Sequence, residues 1–411
     1  MARPHQLQRG RERASGGLLL IVGMAAVAAN LRPAASTVGP VLDEIRDALG
    51  LSAIEAGVLT ALPPLCFGLL ALASPFLAAR LGYTRSIALA MAVLTAGLLF
   101  RVVDGVPALF VGTIAAGAGI AIGNVLMPVL VKRSFPHRAG LATGIYVGSM
   151  IGVASLAAAL TIPLQRLLDG DWRVALVIWA IPAAIALVVW LPQVRHGSDQ
   201  ASRALDLRSA VGLLRAPVAR QLMFFFGLQA AGFYAILAWL PTIFQSEGVS
   251  STTAGALIGL SMVMGLPAAL LIPAMAARAR DQRWYVAGGC AASAIGLIGL
   301  IVAPASAPFL PYLWAIVIGL GQGTCFPLAL TMIVLRSGGV GETAGLSTVV
   351  QGFGYIVAAI GPFTVGAIHG LTDSWSWAAA FILAMVCLQA VAGMGAGRNI
   401  IVGESLSGGA R

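Results

Sequence analysis

Long apolar stretches alternate with short polar ones along the whole chain. Twelve apolar runs can be marked, at about 16–41, 53–79, 86–103, 107–131, 139–163, 174–192, 221–244, 254–277, 285–303, 308–335, 344–368 and 375–397. Each is near or above the roughly 20 residues that carry an α-helix across a bilayer, and strand-sized segments of about ten alternating residues are missing. The pattern predicts an all-α integral membrane protein with twelve transmembrane helices, and it excludes an outer-membrane barrel. The first run, with RGRER before it, has the shape of a signal peptide. Eleven further spans follow it, so cleavage is not expected.

The longest polar connection, QVRHGSDQASRALDLRSAVGLLRAPVAR, divides the spans into six and six. An offset of 198 lays Gly57 on Gly255, Pro75 on Pro273, Arg80 on Arg278 and Arg85 on Arg283. Gly119 and Gly123 match Gly319 and Gly323 at 200, and Trp172 matches Trp377 at 205. Gly, Pro and Ala are common here, so chance matching is the competing explanation. As a repeat, these are parallel six-span copies related by an axis along the membrane normal, with a cavity expected between them. The expected units are an N-terminal bundle at 1–192, a cytoplasmic linker at 193–220 and a C-terminal bundle at 221–411.

Composition agrees with this pattern: 59% of residues are hydrophobic and 10% charged, against about 25% charged in soluble proteins. The net charge of +10 raises nucleic acid as a partner until its placement is examined. With a cytoplasmic N-terminus, the inside segments hold nearly all the Lys and Arg. Only Arg46, Arg101, Arg166 and Arg173 fall in outside segments, and Arg32 falls in neither. The basic balance therefore reports topology through the positive-inside rule, and no nucleic-acid site is expected. Cys66, Cys290, Cys325 and Cys387 lie inside apolar runs without paired spacing, and read as small core residues rather than ligands.

The second and third runs are joined by SPFLAARLGYTRS, which sets Arg80, Gly82 and Arg85 at the spacing Arg-x-Gly-x-x-Arg. Gly82 suits a tight turn with positive φ, and the arginines suit helix C-termini or carboxylates at the cytoplasmic face. AMAARARDQRW stands at the equivalent place in the second half. With these residues the chain resembles the major facilitator superfamily, whose loop between helices two and three has the form G-x-x-x-D-R-x-G-R-R. Here Ser74 stands at the glycine, Ala78 at the aspartate, and Arg85 follows two intervening residues, so the carboxylate of the family's loop is gone. NLRPAASTVGPVLDEI, GIAIGNVLMPVLVKRSFP, FYAILAWLP and GLSTVVQGFGYIVAAIGP further resemble the cyanate permease and 2-nitroimidazole transporter group. That resemblance implies two pseudo-symmetric six-helix bundles and a small anionic or compact polar substrate. It also implies that the first, fourth, seventh and tenth helices surround the cavity.

One charge sits far from either end of a run. Counting about 1.5 Å per residue from Leu18, Arg32 lies roughly 20 Å into a core about 30 Å thick. A mid-membrane arginine costs about 2.5–3.5 kcal/mol, yet every acid from Glu12 to Glu404 maps to a loop or span end. Asp43 and Glu44, the nearest in sequence, are about 16 Å further along the helix. Two roles compete. The guanidinium faces the cavity and meets an anion, worth about 4 kcal/mol at 4 Å in an effective dielectric of 20; or it donates to a carbonyl such as that of Ala29, freed by Pro33.

Asn30 points to nearly the opposite side of an ideal helix and suits a bond to a neighbouring helix as much as a site role, whereas Ser36 shares the face of Arg32. Asn124, Gln229, Tyr234 and Gln322 are the further candidate contacts, with Gln351 and Tyr355 on helix eleven behind them. Such amides and phenols would hydrogen-bond a small planar solute, or else only join helices. Gly140, Gly144, Gly148 and Gly152 recur every fourth residue and leave one face of helix five as bare backbone for close packing. Drug exporters of the superfamily carry an arginine in helix four where Thr113 stands here, and a proline-containing glycine motif where helix five reads GSMIGVAS.

Proton coupling ordinarily uses an intramembrane Asp, Glu or His. Glu55 and His369, at outer span ends, are the nearest titratable groups, so a coupling proton, a uniporter and an exchanger all stay open. The expected function is secondary active transport by alternating access, with Arg32 as main electrostatic contact and Arg80, Gly82 and Arg85 as a cytoplasmic gating loop. A multidrug/proton antiporter is the alternative. A membrane-embedded enzyme would need a base or metal cluster that the scattered histidines do not supply. No cofactor or metal is expected. The expected protein is a monomer in a bacterial inner (plasma) membrane, with both termini cytoplasmic and the bilayer and a small-molecule, anionic substrate as its partners.

Overall fold

In lipid a backbone N–H or C=O finds a partner only within its own helix or a closed barrel, so apolar runs of this length fold as helices. The computed structural model describes residues 19–196 and 207–404. Its spans are α1 Leu19–Val41, α2 Ala53–Ala71 with Ser74–Leu81, α3 Tyr83–Phe100, α4 Val106–Ser134, α5 Ala139–Leu167 and α6 Trp172–Val177 with Ala180–His196. The second half repeats them as α7 Pro217–Ser246, α8 Ser251–Arg278, α9 Arg283–Val302, α10 Leu310–Leu335, α11 Val340–Thr372 and α12 Trp375–Ala396. Eleven are long and apolar enough to cross a membrane alone, and the twelfth is α2, whose two pieces meet at 53°. The bend falls where Pro75 has no N–H to continue the ladder. Residues 197–206 of the expected linker, and the ends 1–18 and 405–411, lie outside the described residues; the helix Leu207–Gly212 and the turn Leu213–Arg215 lead into α7.

Two expectations about single residues change. Arg101, assigned to an outside segment from its place at the edge of the third run, is completely buried at the end of α3. Cys387, read as a core residue, is exposed, whereas Cys66, Cys290 and Cys325 are buried. No cluster of three or more His, Cys, Asp or Glu suited to a metal occurs among the described residues.

Arg80, Arg85, Lys132, Arg133, Arg278, Arg283 and Arg336 gather at one end of the bundle, called here the basic end. The α2–α3 turn there has Gly82 at φ 80°, with Arg80 over the Phe76 ring at 4.2 Å and Arg85 exposed. The equivalent turn of the second half keeps a carboxylate: Arg283 pairs with Asp281 at 2.7 Å and holds its carboxyl below the usual range.

The halves meet mainly along α5 with α8 and α2 with α11. The glycine face of α5 lies on α8. A Cβ at Gly140 would stand 2.2 Å from the Pro273 carbonyl oxygen and one at Gly144 2.5 Å from that of Leu270, but one at Gly152 would be 3.9 Å from the nearest atom, on Leu266. A Cβ at Gly148 would also meet the Leu270 side chain, so the seam is close from Gly140 to Gly148 and loosens only at Gly152. Lys132 adds a tie at that end, donating from α4 to the carbonyls of Val334 (3.1 Å) and Ser337 (2.7 Å) just where α10 terminates. A cation at a helix C-terminus is favoured by the dipole there.

Candidate functional site

α1 is interrupted at residues 30–32. Pro33 brings no N–H to the Ala29 carbonyl, and the ladder tightens into Asn30 N→Val27 O and Leu31 N→Ala28 O bonds, both 3.0 Å. Arg32 occupies the N-cap of the next turn, Pro33–Ser36, at φ −132° and ψ −33°. There its side chain leaves the helix instead of lying along it.

The half-buried Arg32 lines a cavity between the halves with residues of α5, α7, α8 and α10; its empty space, mouth included, is about 790 Å³. The guanidinium carbon sits 4.8 Å from the Phe326 ring centre and 5.5 Å from that of Phe233, close enough for cation–π attraction. Its Nε is buried and has no hydrogen-bond partner among the described residues. The Tyr234 and Tyr355 hydroxyls are within electrostatic range, and Tyr355 Oη approaches the guanidinium without hydrogen-bond geometry. The cavity lining contains no carboxylate.

Gln229 and Gln322 face each other across the same space. Gln229 Nε2 donates to Gln322 Oε1 at 3.0 Å, and Gln229 Oε1 remains buried without a partner among the described residues. The site thus combines an unneutralised cation, one unused amide acceptor and aromatic walls. Such a set suits a flat, compact solute that carries negative charge on one edge and a donor on another.

Of the residues expected at the site, Arg32, Gln229, Tyr234 and Gln322 come together on this cavity. Asn30 turns away and donates to the carbonyls of Ala26 (2.9 Å) and Pro182 (3.2 Å), joining α1 to α6. Gln351 donates to the Asn124 carbonyl (3.0 Å) and to Ser347 Oγ (2.8 Å), and Ser347 donates to the Val125 carbonyl (2.8 Å). Asn124 and Gln351 therefore sew α4 to α11 in the seam, with Asn124 Nδ2 left without a partner among the described residues. Tyr355 is also in the seam, its ring edge-on to Phe67 (5.4 Å) and Phe226 (5.1 Å). Arg80, Gly82 and Arg85 stay at the basic end. The direct reading of buried polar residues passed over Phe233 and Phe326, because an aromatic residue in an apolar run carries no signal of its own. Only adjacency to Tyr234 and to Pro327 marks them.

Comparison with known proteins follows this geometry. The chain matches the Major Facilitator Superfamily over residues 18–362. It is 38% identical to the 2-nitroimidazole transporter of Escherichia coli (strain K12), covering 93% of this chain and 96% of that protein. It is 32% identical to the cyanate transport protein CynX of the same organism, covering 88% and 92%. The solved proton:xylose symporter XylE superposes with a TM-score of 0.74 at 15% identity, over 96% of this chain and 99% of that one. The relatives are transporters and not enzymes. Twelve apolar spans in two halves around a central cavity, with a profile match over most of the sequence, place this chain in the Major Facilitator Superfamily.

Proposed function

We propose that this transporter moves a small anionic or compact polar solute, of the cyanate-like or nitroimidazole-like class, by alternating access. Arg32 is its main electrostatic contact; Gln229, Tyr234 and Gln322 orient the solute, and Asn124, Gln351 and Tyr355 form the seam beneath it. The observation that carries this reading is the Arg32 guanidinium itself: half-buried, between two aromatic rings, on a cavity whose lining offers it no carboxylate. A buried charge without a partner is costly, and a bound anion removes the cost. The names of the relatives, a 2-nitroimidazole transporter and a cyanate transport protein, support the substrate class.

In the proposed topology the basic end is cytoplasmic, both termini included, in a bacterial inner membrane. Arg80, Gly82 and Arg85 belong to its gate, and the working unit is a monomer of two bundles, 1–192 and 221–411, joined by 193–220. The close α5–α8 packing at Gly140 and Gly144 and the Lys132 tie then describe a state closed to the cytoplasm.

Thermal shift of detergent-purified wild type and Arg32→Gln, against cyanate, nitrate, benzoate, 2-nitroimidazole and the cationic drug ethidium, tests this. A ligand at about 100 times its Kd stabilises by roughly 2.7 kcal/mol. Stabilisation by a small anion or 2-nitroimidazole in wild type, lost in Arg32→Gln, is the expected result. Stabilisation by ethidium alone, equal in both proteins, overturns the reading in favour of drug export.

A further inference from the structure

A second guanidinium lies close behind Arg32. Arg101, the first residue after α3, has no exposed surface. No carboxylate contacts it among the described residues: Asp104, three positions on in sequence, pairs with Arg173 at 2.7 Å, and Asp171 pairs with the same arginine at 3.0 Å. Its partners are carbonyls. Nη1 donates to Ala34 O at 2.9 Å and Nη2 to Leu176 O at 3.2 Å.

Both carbonyls stand at helix breaks. Ala34 lies in the single turn Pro33–Ser36 that follows the interruption of α1, and Leu176 lies where Trp172–Val177 gives way to Ala180–His196 in α6. Ala35 and Ser36 still bond back to Arg32 O and Thr37 to Pro33 O, but Val38 does not continue the series to Ala34 O. A buried carbonyl without a donor is expensive, and so is a buried cation without acceptors. One guanidinium resolves both by acting as the missing N–H for two broken helices at once. Its planar fork suits this, since its donors diverge at a fixed angle.

The strut that carries Arg101 is stiff. α3 and α4 pack backbone to backbone: a Cβ at Gly97 would stand 2.5 Å from Ala116 N, and one at Gly112 would stand 2.4 Å from the backbone nitrogen of Arg101 itself. The guanidinium is thus held from a fixed base while it grips a segment with only one helical turn of its own.

We infer that Arg101 is a positioning residue for the anion site: by holding the Ala34 carbonyl, and that of Leu176, it pins the single turn Pro33–Ser36 that Arg32 caps and so keeps the Arg32 guanidinium turned into the cavity. This inference rests on the reading of Arg32 as the substrate contact, but its first test does not need a ligand.

Hydrogen exchange by mass spectrometry is compared in wild type, Arg101→Gln and Arg101→Lys in detergent. Arg101→Gln should speed exchange about tenfold or more over residues 30–38 and 174–181, with residues 283–302 unchanged, since local opening follows the lost contacts. Arg101→Lys, which can reach one carbonyl but not both in the same geometry, should give an intermediate effect, and it carries the same readout if the glutamine variant does not fold. Unchanged exchange over 30–38, or an equal rise everywhere, overturns the inference.

The second arm measures Kd for cyanate and 2-nitroimidazole well below the melting temperature. A displaced Arg32 should weaken binding about tenfold, with Arg101→Lys restoring part of it and Arg101→Gln adding nothing on an Arg32→Gln background. Full affinity in a folded Arg101→Gln protein reduces Arg101 to a structural role. Failure of wild type to bind either probe counts against the proposed function, and the exchange result then decides Arg101 by itself.

Discussion

α1 and α7 hold equivalent places in the two halves, and the offset of 198 sets Arg32 opposite Ala230, yet they solve the same task differently. α7 runs unbroken for 30 residues from Pro217 to Ser246. It offers the cavity neutral groups, Gln229, Phe233 and Tyr234, from the stretch of helix that precedes Pro241. α1 is broken at mid-depth and offers one charge from the break. A helix surface places a side chain only at fixed angles, whereas a break re-aims it and leaves carbonyls that something else must satisfy. The neutral side of the site is therefore self-supporting, and the charged side depends on Pro33 and Arg101. Function on the α1 side should accordingly be fragile to changes that barely touch stability, and function on the α7 side should not.

The largest effect expected is that of Arg32→Gln. Losing an attraction of about 4 kcal/mol should weaken anion binding on the order of a thousandfold, read by isothermal titration. Thermal stability should hold or rise, because an unpaired buried charge is gone. A modest affinity loss would mean that α7 carries the site.

Pro33→Ala should come next. The new N–H can reach the Ala29 carbonyl and favours a continuous helix, which swings Arg32 away from Phe326. Affinity should fall about tenfold while the melting temperature stays level or climbs, since alanine supplies the N–H that Pro33 lacks and fits a continuous helix. Unchanged affinity would show that the break is not what aims the guanidinium.

Phe326→Leu removes the nearer ring from Arg32. Cation–π attraction of about 0.5–2 kcal/mol is at stake, so the solute's affinity should change several-fold at most, far less than in Arg32→Gln. An effect as large as that of Arg32→Gln would make ring stacking the main contact.

The smallest effect sharpens the contrast between halves at the basic end, where the first half has Ala78 and the second keeps Asp281. The hydrogen bond from Arg283 lowers the Asp281 carboxyl in the folded state, so the pair contributes stability above the ordinary carboxylate pKa of about 4. That contribution disappears as pH falls through the lowered folded value. Melting temperature against pH should therefore be slightly flatter at the acid end in Asp281→Asn than in wild type. The same slope in both would leave the pair without weight, as is common for exposed ion pairs.

The architecture was legible because the bilayer imposes it. The twelve apolar runs that became spans follow from transfer free energies that each segment feels separately. Arg32 was legible for the same reason: a charge in an apolar run stands out. Asn124, Gln351 and Tyr355 stood out too, yet they sit in the seam rather than on the cavity lining, since polarity in a run marks a buried polar group without saying whether it meets a solute or another helix.

What depended on tertiary structure was direction and partnership. Gln229 meets Gln322 because α7 and α10 face one another across the cavity, and no spacing within either helix contains that fact. Arg101 looked like a loop residue because it stands at the edge of a run beside Asp104. It is buried because α6 and the turn that follows the break in α1 close over the end of α3, and the carbonyls that receive it come from residues 67 and 75 positions away. Segment hydropathy is a local sum and the sequence carries it whole; where a helix breaks, and which distant donor satisfies the break, is set by contacts that exist only once the helices have packed.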